Sequence, residues 1–170
     1  MNRASASLGS VVFFFVAPVV VAGVIPWWIT RWRTEPSFLD APAIRVVGAI
    51  LVAFGLVVVA DSFARFALEG IGTPAPPFPT RHLVVTGFYR RVRNPMYVAV
   101  VAMILGQALL FASLGLLVYG AVTWLCTHAF VVGYEEPTLR NQFGREYEIY
   151  RANVPRWLPR ARPWHAPDPS

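Results

Sequence analysis

The feature that most constrains the fold is a run of 41 residues, Asn94 to Tyr134, without a single Asp, Glu, Lys or Arg. At 1.5 Å per residue, one helix of this length would be about twice as long as the bilayer core is thick. The run is therefore better divided, and Ala112-Ser113-Leu114-Gly115 is its strongest turn signal. Asn94 suits a helix N-cap and Pro95 the first helical position. The spacing predicts two membrane spans, 95–112 and 115–134.

Two shorter apolar runs precede this one. Residues 8–29 are long enough to cross a bilayer, and Pro18 and Pro26 are expected to kink the helix. Because the run is longer than the apolar core of a signal peptide and no small-residue cleavage site follows it, we interpret it as a retained helix. The second predicted span is 44–64. Its far end carries residues at i, i+4 spacing that are typical of a solvated ion-pair ladder: Asp61, Arg65 and Glu69.

Composition agrees with a membrane protein. Hydrophobic residues make up 56% of the chain and charged residues 14%, against about 25% charged residues in soluble domains. This excludes a disordered chain and argues against a soluble globular one. The single cysteine, Cys126, excludes an intramolecular disulfide, and three scattered histidines argue against a metal centre. The sequence therefore predicts an all-α, polytopic membrane helical bundle of about four spans, without a metal.

The arginines give this bundle an orientation. All fifteen basic residues are arginine and the net charge is +6, which in so apolar a chain points to anionic membrane lipids and not to nucleic acid. Four spans would place twelve arginines on one side of the membrane and three on the other. The positive-inside rule then predicts both termini in the cytoplasm, and the absence of lysine suggests a bacterial inner membrane. The predicted cytoplasmic parts are a connector, a C-terminal segment with an amphipathic helix, and a flexible tail: 65–94, 135–158 and 159–170.

The connector ends in a basic, aromatic segment, 81–97, that leads into a helix N-terminus. Free backbone N–H groups at such a terminus attract anions. Arg90 and Arg93 beside it would form a corner that binds a carboxylate or a phosphate. Contact with lipid phosphates is the alternative for both residues, and it is the favoured interpretation for Arg91.

The second polar segment begins inside the last span. His128 and Glu135 are seven residues apart, which places them on nearly the same helix face. Ionisable groups at membrane depth usually face a polar interior, although a histidine hydrogen-bonded between helices is an equal alternative. Glu136 can pair with Arg140 at i, i+4, which leaves Glu135 for a ligand. Further residues project together as i, i+3, i+4, as they also would on a helix lying on the membrane: Tyr147, Tyr150 and Arg151.

These residues form a recognisable pattern. The first part is Gly87-x-Tyr89-Arg90-x-x-Arg93-Asn94-Pro95-x-Tyr97, and an apolar hairpin with His128 follows. The last part is Glu135-Glu136-x-x-Leu139-x-x-x-Phe143-Gly144-x-x-Tyr147-x-x-Tyr150-x-x-x-Val154-Pro155. The combination resembles the isoprenylcysteine carboxyl methyltransferase and phospholipid methyltransferase superfamily. The resemblance covers residues 81–158, and the first half of the chain matches only as generic membrane helices.

Members of this superfamily are small integral membrane enzymes that use S-adenosylmethionine. The resemblance implies that this cofactor binds on the cytosolic side and that a lipophilic small molecule or lipid, the methyl acceptor, enters from the bilayer. The implied cofactor-binding residues are Tyr89, Arg90, Arg93, Asn94, Pro95, Tyr97, His128, Glu135, Glu136, Tyr147 and Tyr150. The implied catalytic residues are Glu135 and Arg151.

The resemblance also suggests roles. Arg90, Arg93 and His128 are expected to hold the cofactor's carboxylate, and Glu135 its ribose hydroxyls or its amine. Aromatic side chains would pack on the adenine or face the sulfonium: Tyr89, Tyr97, Tyr147 and Tyr150. Arg151 is expected to orient an anionic acceptor group. An amine acceptor would need a base, Glu135 or His128, whereas a carboxylate acceptor would not.

The chain departs from the carboxyl methyltransferase pattern at two positions. Asn94 replaces the usual His before the proline, and Ala99 replaces the usual Gly after the tyrosine. The sequence Asn94-Pro95-Met96-Tyr97 is closer to what phospholipid methyltransferases carry, so the acceptor stays open between a carboxylate and an amine. Two other functions remain as alternatives. One is an NADPH-dependent membrane reductase related to sterol reductases, which have a similar motif, and the other is a non-catalytic accessory protein that binds lipid.

Overall fold

The computed structural model describes residues 17–34, 41–68 and 83–165, and every regular element within these ranges is helical. The five main helices are α1 Ala17–Thr30, α2 Pro42–Leu68, α3 Pro95–Leu110, α4 Leu114–Phe130 and α5 Glu136–Asn153. A short 3-10 turn, Gly87–Arg90, precedes α3. The prediction of an all-α chain is thus confirmed. Outside the described residues lie the start of the first predicted span, Glu69 of the ladder, the middle of the connector (69–82) with Arg81 and His82, and the last five residues of the tail.

Helix α3 begins at Pro95, where the sequence predicts it. Asn94 occupies the N-cap position, but its side chain makes no capping hydrogen bond, so this part of the prediction is wrong. The Asn94 Nδ2 atom instead donates to the Arg156 carbonyl oxygen at 3.2 Å. The buried side chain therefore ties the start of α3 to the C-terminal segment.

Glycines allow α2 and α3 to pack at close range. A Cβ atom on Gly48 would lie 2.6 Å from the carbonyl oxygen of Gly106, and one on Gly106 would lie 2.7 Å from that of Gly48. Two turns further along, Gly55 of α2 lies against the Ala99 carbonyl oxygen. Small residues let helix backbones approach in this way inside membranes. Lipid tails are as apolar as the side chains, so close packing and not the hydrophobic effect holds such helices together.

Pro26 explains an irregularity in α1. The residues Val20–Val24 form a π-helical turn, in which the backbone hydrogen bond spans five residues and not four. Proline has no N–H to donate. Pro26 therefore donates no hydrogen bond within the helix to the carbonyl group of Val21, five residues back, or to that of Ala22, four residues back.

Two side chains from neighbouring helices supply the missing donors. Gln107 of α3 donates from Nε2 to the Ala22 carbonyl oxygen at 2.7 Å. Tyr119 of α4 donates from Oη to the Val21 carbonyl oxygen at 2.9 Å. Unpaired backbone groups are costly in an apolar environment, so these two bonds let α1 keep its irregular turn and also fix it to the bundle.

The polypeptide continues from α4 to α5 without a loop. A second π-helical turn, Val131–Glu135, joins the two helices, and Pro137 follows it. Helix α5 then bends at Gly144, whose φ of 50° and ψ of −120° lie in a region that side chains with a Cβ rarely adopt. The bend directs the remainder of α5 back over the segment before α3.

Two helices are long and apolar enough to cross a membrane, Pro42–Arg65 and the continuous helix Leu114–Asn153. Only 17% of the most apolar 18-residue stretch of each helix is buried inside the protein, so most of this apolar surface faces outward. Helices α1 and α3 are apolar but shorter. The 16 residues of α3 extend about 24 Å, less than the roughly 30 Å of a bilayer core. A count of four spans is therefore still a prediction.

The C-terminal segment lies against the residues that precede α3. Three backbone hydrogen bonds hold it there: Arg93 N to Pro155 O at 2.9 Å, Arg160 N to Arg91 O at 2.9 Å and Trp164 N to Arg90 O at 2.8 Å. Residues 159–165 thus differ from the flexible tail that their composition predicts. The sequence gives no sign of this contact because both partners are irregular segments far apart in the chain.

Candidate active site

A buried ion-pair cluster joins three parts of the chain. Arg93, just before α3, donates from Nη1 to Glu136 Oε1 at 2.9 Å. Arg156 of the C-terminal segment donates to both oxygens of the same carboxylate, from Nε at 2.6 Å and from Nη2 at 2.9 Å. The side chains of Arg93 and Glu136 are 9% and 8% exposed. The two guanidinium groups compensate a carboxylate that would be very unfavourable alone at this depth.

The predicted local pair of Glu136 with Arg140 is wrong. Arg140 donates instead from Nε to Glu148 Oε1 at 2.6 Å, across the bend at Gly144, and both side chains are nearly half exposed. Glu136 turns inward because two arginines from distant segments offer it three charge-assisted hydrogen bonds, which outweigh one exposed i, i+4 pair.

One atom of this cluster lacks a partner. Arg93 Nε is buried and has no hydrogen-bond acceptor among the described residues. The Nη1 group of the same side chain also donates to Tyr147 Oη at 3.2 Å. A buried N–H on a charged group is costly when unpaired. Arg93 therefore has a donor to offer to an anionic or polar group of a bound molecule.

The π-helical turn Val131–Glu135 sends two adjacent acids to different neighbours. Glu135 faces α3, where Tyr97 donates from Oη to its Oε2 at 3.2 Å. Glu136, the next residue, faces the C-terminal segment and Arg156. Because the turn contains one residue more than an α-helical turn, it rotates α5 about the helix axis relative to α4.

This rotation changes the predicted relation between His128 and Glu135. His128 Nδ1 accepts a hydrogen bond from Trp157 Nε1 at 3.1 Å, beside the Arg156 that binds Glu136. The i, i+7 argument that placed Glu135 on the face of His128 therefore fails, since Glu136 takes that direction. Trp124, one turn before His128, also contacts its ring, with the centroids 5.4 Å apart. A neutral His128 that accepts at Nδ1 carries its proton on Nε2.

Tyr89 brings the 3-10 turn into the same region. Burial and the nearby Glu135 carboxylate raise the pKa of its phenol, so Tyr89 stays neutral, and its hydroxyl is hydrogen-bonded to Ser62 of α2. Its carbonyl oxygen accepts a hydrogen bond from Tyr150 Oη at 2.7 Å. Tyr89 thus lies between α2, Glu135 and the bent end of α5.

The tyrosines of α5 form a packed cluster. Tyr147, Tyr150 and Val154 are buried together against Leu83, Val85, Leu139, Phe143 and Trp164. Arg90 and Trp164 fasten its edge, since Arg90 Nε donates to the Trp164 carbonyl oxygen at 2.7 Å. Tyr147 and Tyr150 project together as the sequence predicts. Arg151, the third residue of that predicted group, is more exposed, and its Nε atom lies 3.7 Å from Glu148 Oε2.

The sequence argument missed three residues that shape this region: Arg156, Trp157 and Trp164. Each contacts a predicted site residue, respectively Glu136, His128 and Arg90. A signal was available for the first two, because they directly follow the Val154-Pro155 end of the pattern on the side with most arginines. Among the described residues, no three His, Cys, Asp or Glu side chains come together in a way that suits a metal ion.

Comparison with known families shows which class of proteins this chain belongs to. A comparison with curated proteins finds no match. The model of the phospholipid methyltransferase family matches residues 43–146, more than half of the chain. The match begins near the start of α2, well before the pattern described above, and ends just before Tyr147. Together with the two long apolar helices, it points to an integral membrane protein of a methyltransferase family. The chain belongs to the phospholipid methyltransferase family.

Proposed function

We propose that the protein uses S-adenosylmethionine to methylate a carboxylate or an amine of a lipophilic acceptor at the cytoplasmic face of a membrane. The observation that carries this proposal is the placement of Glu135 beside Tyr97 and Tyr89, next to the buried Arg93–Glu136 pair, within the range that the family model matches. Four spans with both termini in the cytoplasm belong to the proposal and are supported by the twelve-to-three distribution of arginines.

The residues present suit a molecule that carries a carboxylate, ribose hydroxyls and a sulfonium. Arg93 offers its unpaired Nε donor to an anionic group. Glu135 accepts one hydrogen bond from Tyr97 and keeps lone pairs for hydroxyl or amine donors. The rings of Tyr89 and Tyr97 would attract a cation. When bound, the cofactor supplies a methyl group activated by the positive sulfur.

Other predicted site residues have supporting or positioning roles in this proposal. Glu136, Tyr147 and Tyr150 hold Arg93 and Tyr89 in place through the contacts described above. Arg90 keeps donors beyond the Nε that it uses with Trp164, and His128, which accepts from Trp157 at Nδ1, keeps its Nε2 atom for a ligand. We assign both residues to the cofactor's carboxylate. Asn94 and Pro95 set the start of α3, next to these groups.

The acceptor determines what proton transfer is needed. An ammonium acceptor must lose a proton before its nitrogen can attack, and Glu135 is the group that we propose to take it. A carboxylate acceptor needs no base, because opposite charges cancel as the methyl group moves, and exclusion of water favours that step. We assign the orientation of an anionic acceptor group to Arg151, whose side chain is 37% exposed and whose Nε atom lies 3.7 Å from Glu148 Oε2.

Cofactor binding to the purified protein tests the first part of the proposal. The thermal midpoint would be measured with S-adenosylmethionine, S-adenosylhomocysteine and NADPH in parallel. We expect the two adenosyl compounds to stabilise the protein selectively. Stabilisation by NADPH alone would instead favour a reductase, and no shift with any of the three would favour a lipid-binding accessory protein.

Substitution of Glu135 tests the second part. In Glu135→Ala, we expect transfer of labelled methyl groups from S-adenosylmethionine to a membrane lipid extract to fall below about 1% of wild type, while the thermal midpoint stays close to the wild-type value. Glu146→Ala is the matched control, because it makes the same substitution at an exposed acid of α5 that forms none of the ion pairs described above. Retained turnover in the Glu135 variant would overturn the assignment.

A further inference from the structure

A cavity of about 560 Å³ lies on the other side of the segment that carries Arg93. Its walls come from α2, from α3 and from the C-terminal segment, and most are apolar, with Phe54, Val58 and Val98 as examples. The lining includes Pro95 but not Arg93, Tyr97 or Glu135. The volume of the cavity is within the range of ligand pockets, about 300–1,000 Å³, and no side chain of the buried ion-pair cluster lines it.

Two arginines interrupt the apolar lining, Arg91 and Arg160. Arg91 donates from Nη1 to the carbonyl oxygens of Arg160 and Ala161, and Arg160 donates from Nη1 to the Asn153 carbonyl oxygen at 2.6 Å. These backbone contacts hold both guanidinium groups in place. Each guanidinium has five N–H donors, so donors remain on both for a ligand.

Neither arginine has an acid to balance its charge among the described residues. The carboxylates that form ion pairs there, Asp61, Glu136 and Glu148, bind other arginines. Two fixed cations beside an apolar cavity therefore favour an anionic ligand. A zwitterionic head group would bring a third cation close to them, which is less favourable.

The cavity is accessible from the apolar outer surface of α2. Phe54, which lines it, is 43% exposed, and its neighbours Ile50 and Val57 are about 60% exposed. A hydrocarbon chain can therefore enter from the bilayer without crossing water, while the arginines lie on the segment before α3 and on the C-terminal segment, which the proposed topology places in the cytoplasm. We propose that this cavity binds an anionic phospholipid, with one acyl chain inside and the phosphate between Arg91 and Arg160. This site does not depend on methyl transfer.

The test is lipid binding to the purified protein in a neutral detergent. Dioleoylphosphatidylglycerol, dioleoylphosphatidylcholine and inorganic phosphate would be titrated separately, with the thermal midpoint and native mass spectrometry as readouts. We expect the anionic lipid to bind and stabilise, and the other two to do so much less. Equal effects of the two lipids, or an equal effect of phosphate alone, would overturn the proposal.

Variants locate the site. Arg91→Gln and Arg160→Gln should each weaken binding of the anionic lipid about tenfold, the loss expected for a hydrogen bond to a charged group. Arg145→Gln is the matched control, since it removes the same charge from an exposed position of α5. Arg160→Gln still tests the proposal if Arg91→Gln fails to fold. The thermal midpoint of each variant is also measured without lipid, so that lost stability is distinguished from lost binding. Unchanged affinity in both variants would contradict the proposal. The cofactor titration above is independent, so either proposal can fail alone.

Discussion

The turns before Pro26 and before Pro137 are built alike and used differently. In each, a five-residue π-helical turn ends two residues before the proline, at Val20–Val24 and at Val131–Glu135. At the first turn, side chains from α3 and α4 bond the two carbonyl groups that the proline leaves unpaired. At the second turn, no described side chain donates to the corresponding carbonyl groups, those of Val132 and Gly133.

The difference shows that the same backbone feature packs a helix in one place and orients residues of the candidate active site in another. The turn before Pro26 uses its freed carbonyl groups to fasten α1 to the bundle. The turn before Pro137 uses its extra residue to point Glu135 at Tyr97 and Glu136 at Arg156. A π-helical turn near a functional site is common, and here the neighbouring side chains distinguish the two uses.

The largest effect should come from removing the charge of Glu136. Glu136→Gln leaves the buried Arg93 without a compensating charge, and we expect the free energy of unfolding to fall by about 3–5 kcal/mol. Denaturation in mixed micelles measures this loss. Glu148→Gln should cost less than about 1 kcal/mol, because its partners are exposed. Similar losses in the two variants would mean that the buried cluster does not hold the site together.

A smaller effect is expected at the turn before Pro26. Tyr119→Phe and Gln107→Leu each leave one carbonyl group unpaired, at a cost of about 1 kcal/mol. Methyl transfer should be unchanged, because neither side chain belongs to the candidate active site. Tyr134→Phe, at an exposed tyrosine, is the control, and we expect a change within about 0.5 kcal/mol. Loss of transfer in Tyr119→Phe at normal stability would show that the two turns are not separate in function.

The smallest effect on stability is expected at the exposed Pro137. Pro137→Ala supplies an N–H that can pair with a carbonyl group of the turn and shift the Glu135 carboxylate away from Tyr97, while the three hydrogen bonds of Glu136 keep α5 in place. We expect methyl transfer to fall at least tenfold while the free energy of unfolding changes by less than about 1 kcal/mol, because Pro137 is exposed. Pro26→Ala makes the same change at the other turn and should leave transfer intact. Methyl transfer at the wild-type rate in Pro137→Ala would show that the second turn does not contribute to activity.

Local features of this protein are readable from its sequence. The all-helical fold, the start of α3 at Pro95 and the break near Ser113 follow from apolar run lengths, prolines and turn residues, which act within a few residues of one another. The pairing of Tyr147 with Tyr150 follows from helical spacing for the same reason. The phospholipid methyltransferase family is indicated by a pattern of residues at fixed spacing.

Contacts between distant segments are not readable in this way. Glu136 has an arginine four residues later, and only the folded chain shows that Arg93 and Arg156 compete for it successfully. Pro137 signals a helix irregularity, but not which way Glu135 and Glu136 turn. The order of residues 159–165 depends on hydrogen bonds to Arg90 and Arg91, which composition does not reveal. The role of each candidate site residue is still a prediction.

The position of Arg156 has a consequence for biogenesis. Synthesis proceeds from the N-terminus, so Arg93 and Glu136 are made and α2, α3 and α4 can enter the membrane before Arg156 leaves the ribosome. During that interval, Glu136 lacks the arginine that binds both of its oxygens. A nascent chain therefore lacks part of the buried cluster of the candidate site until its C-terminal segment returns to Glu136.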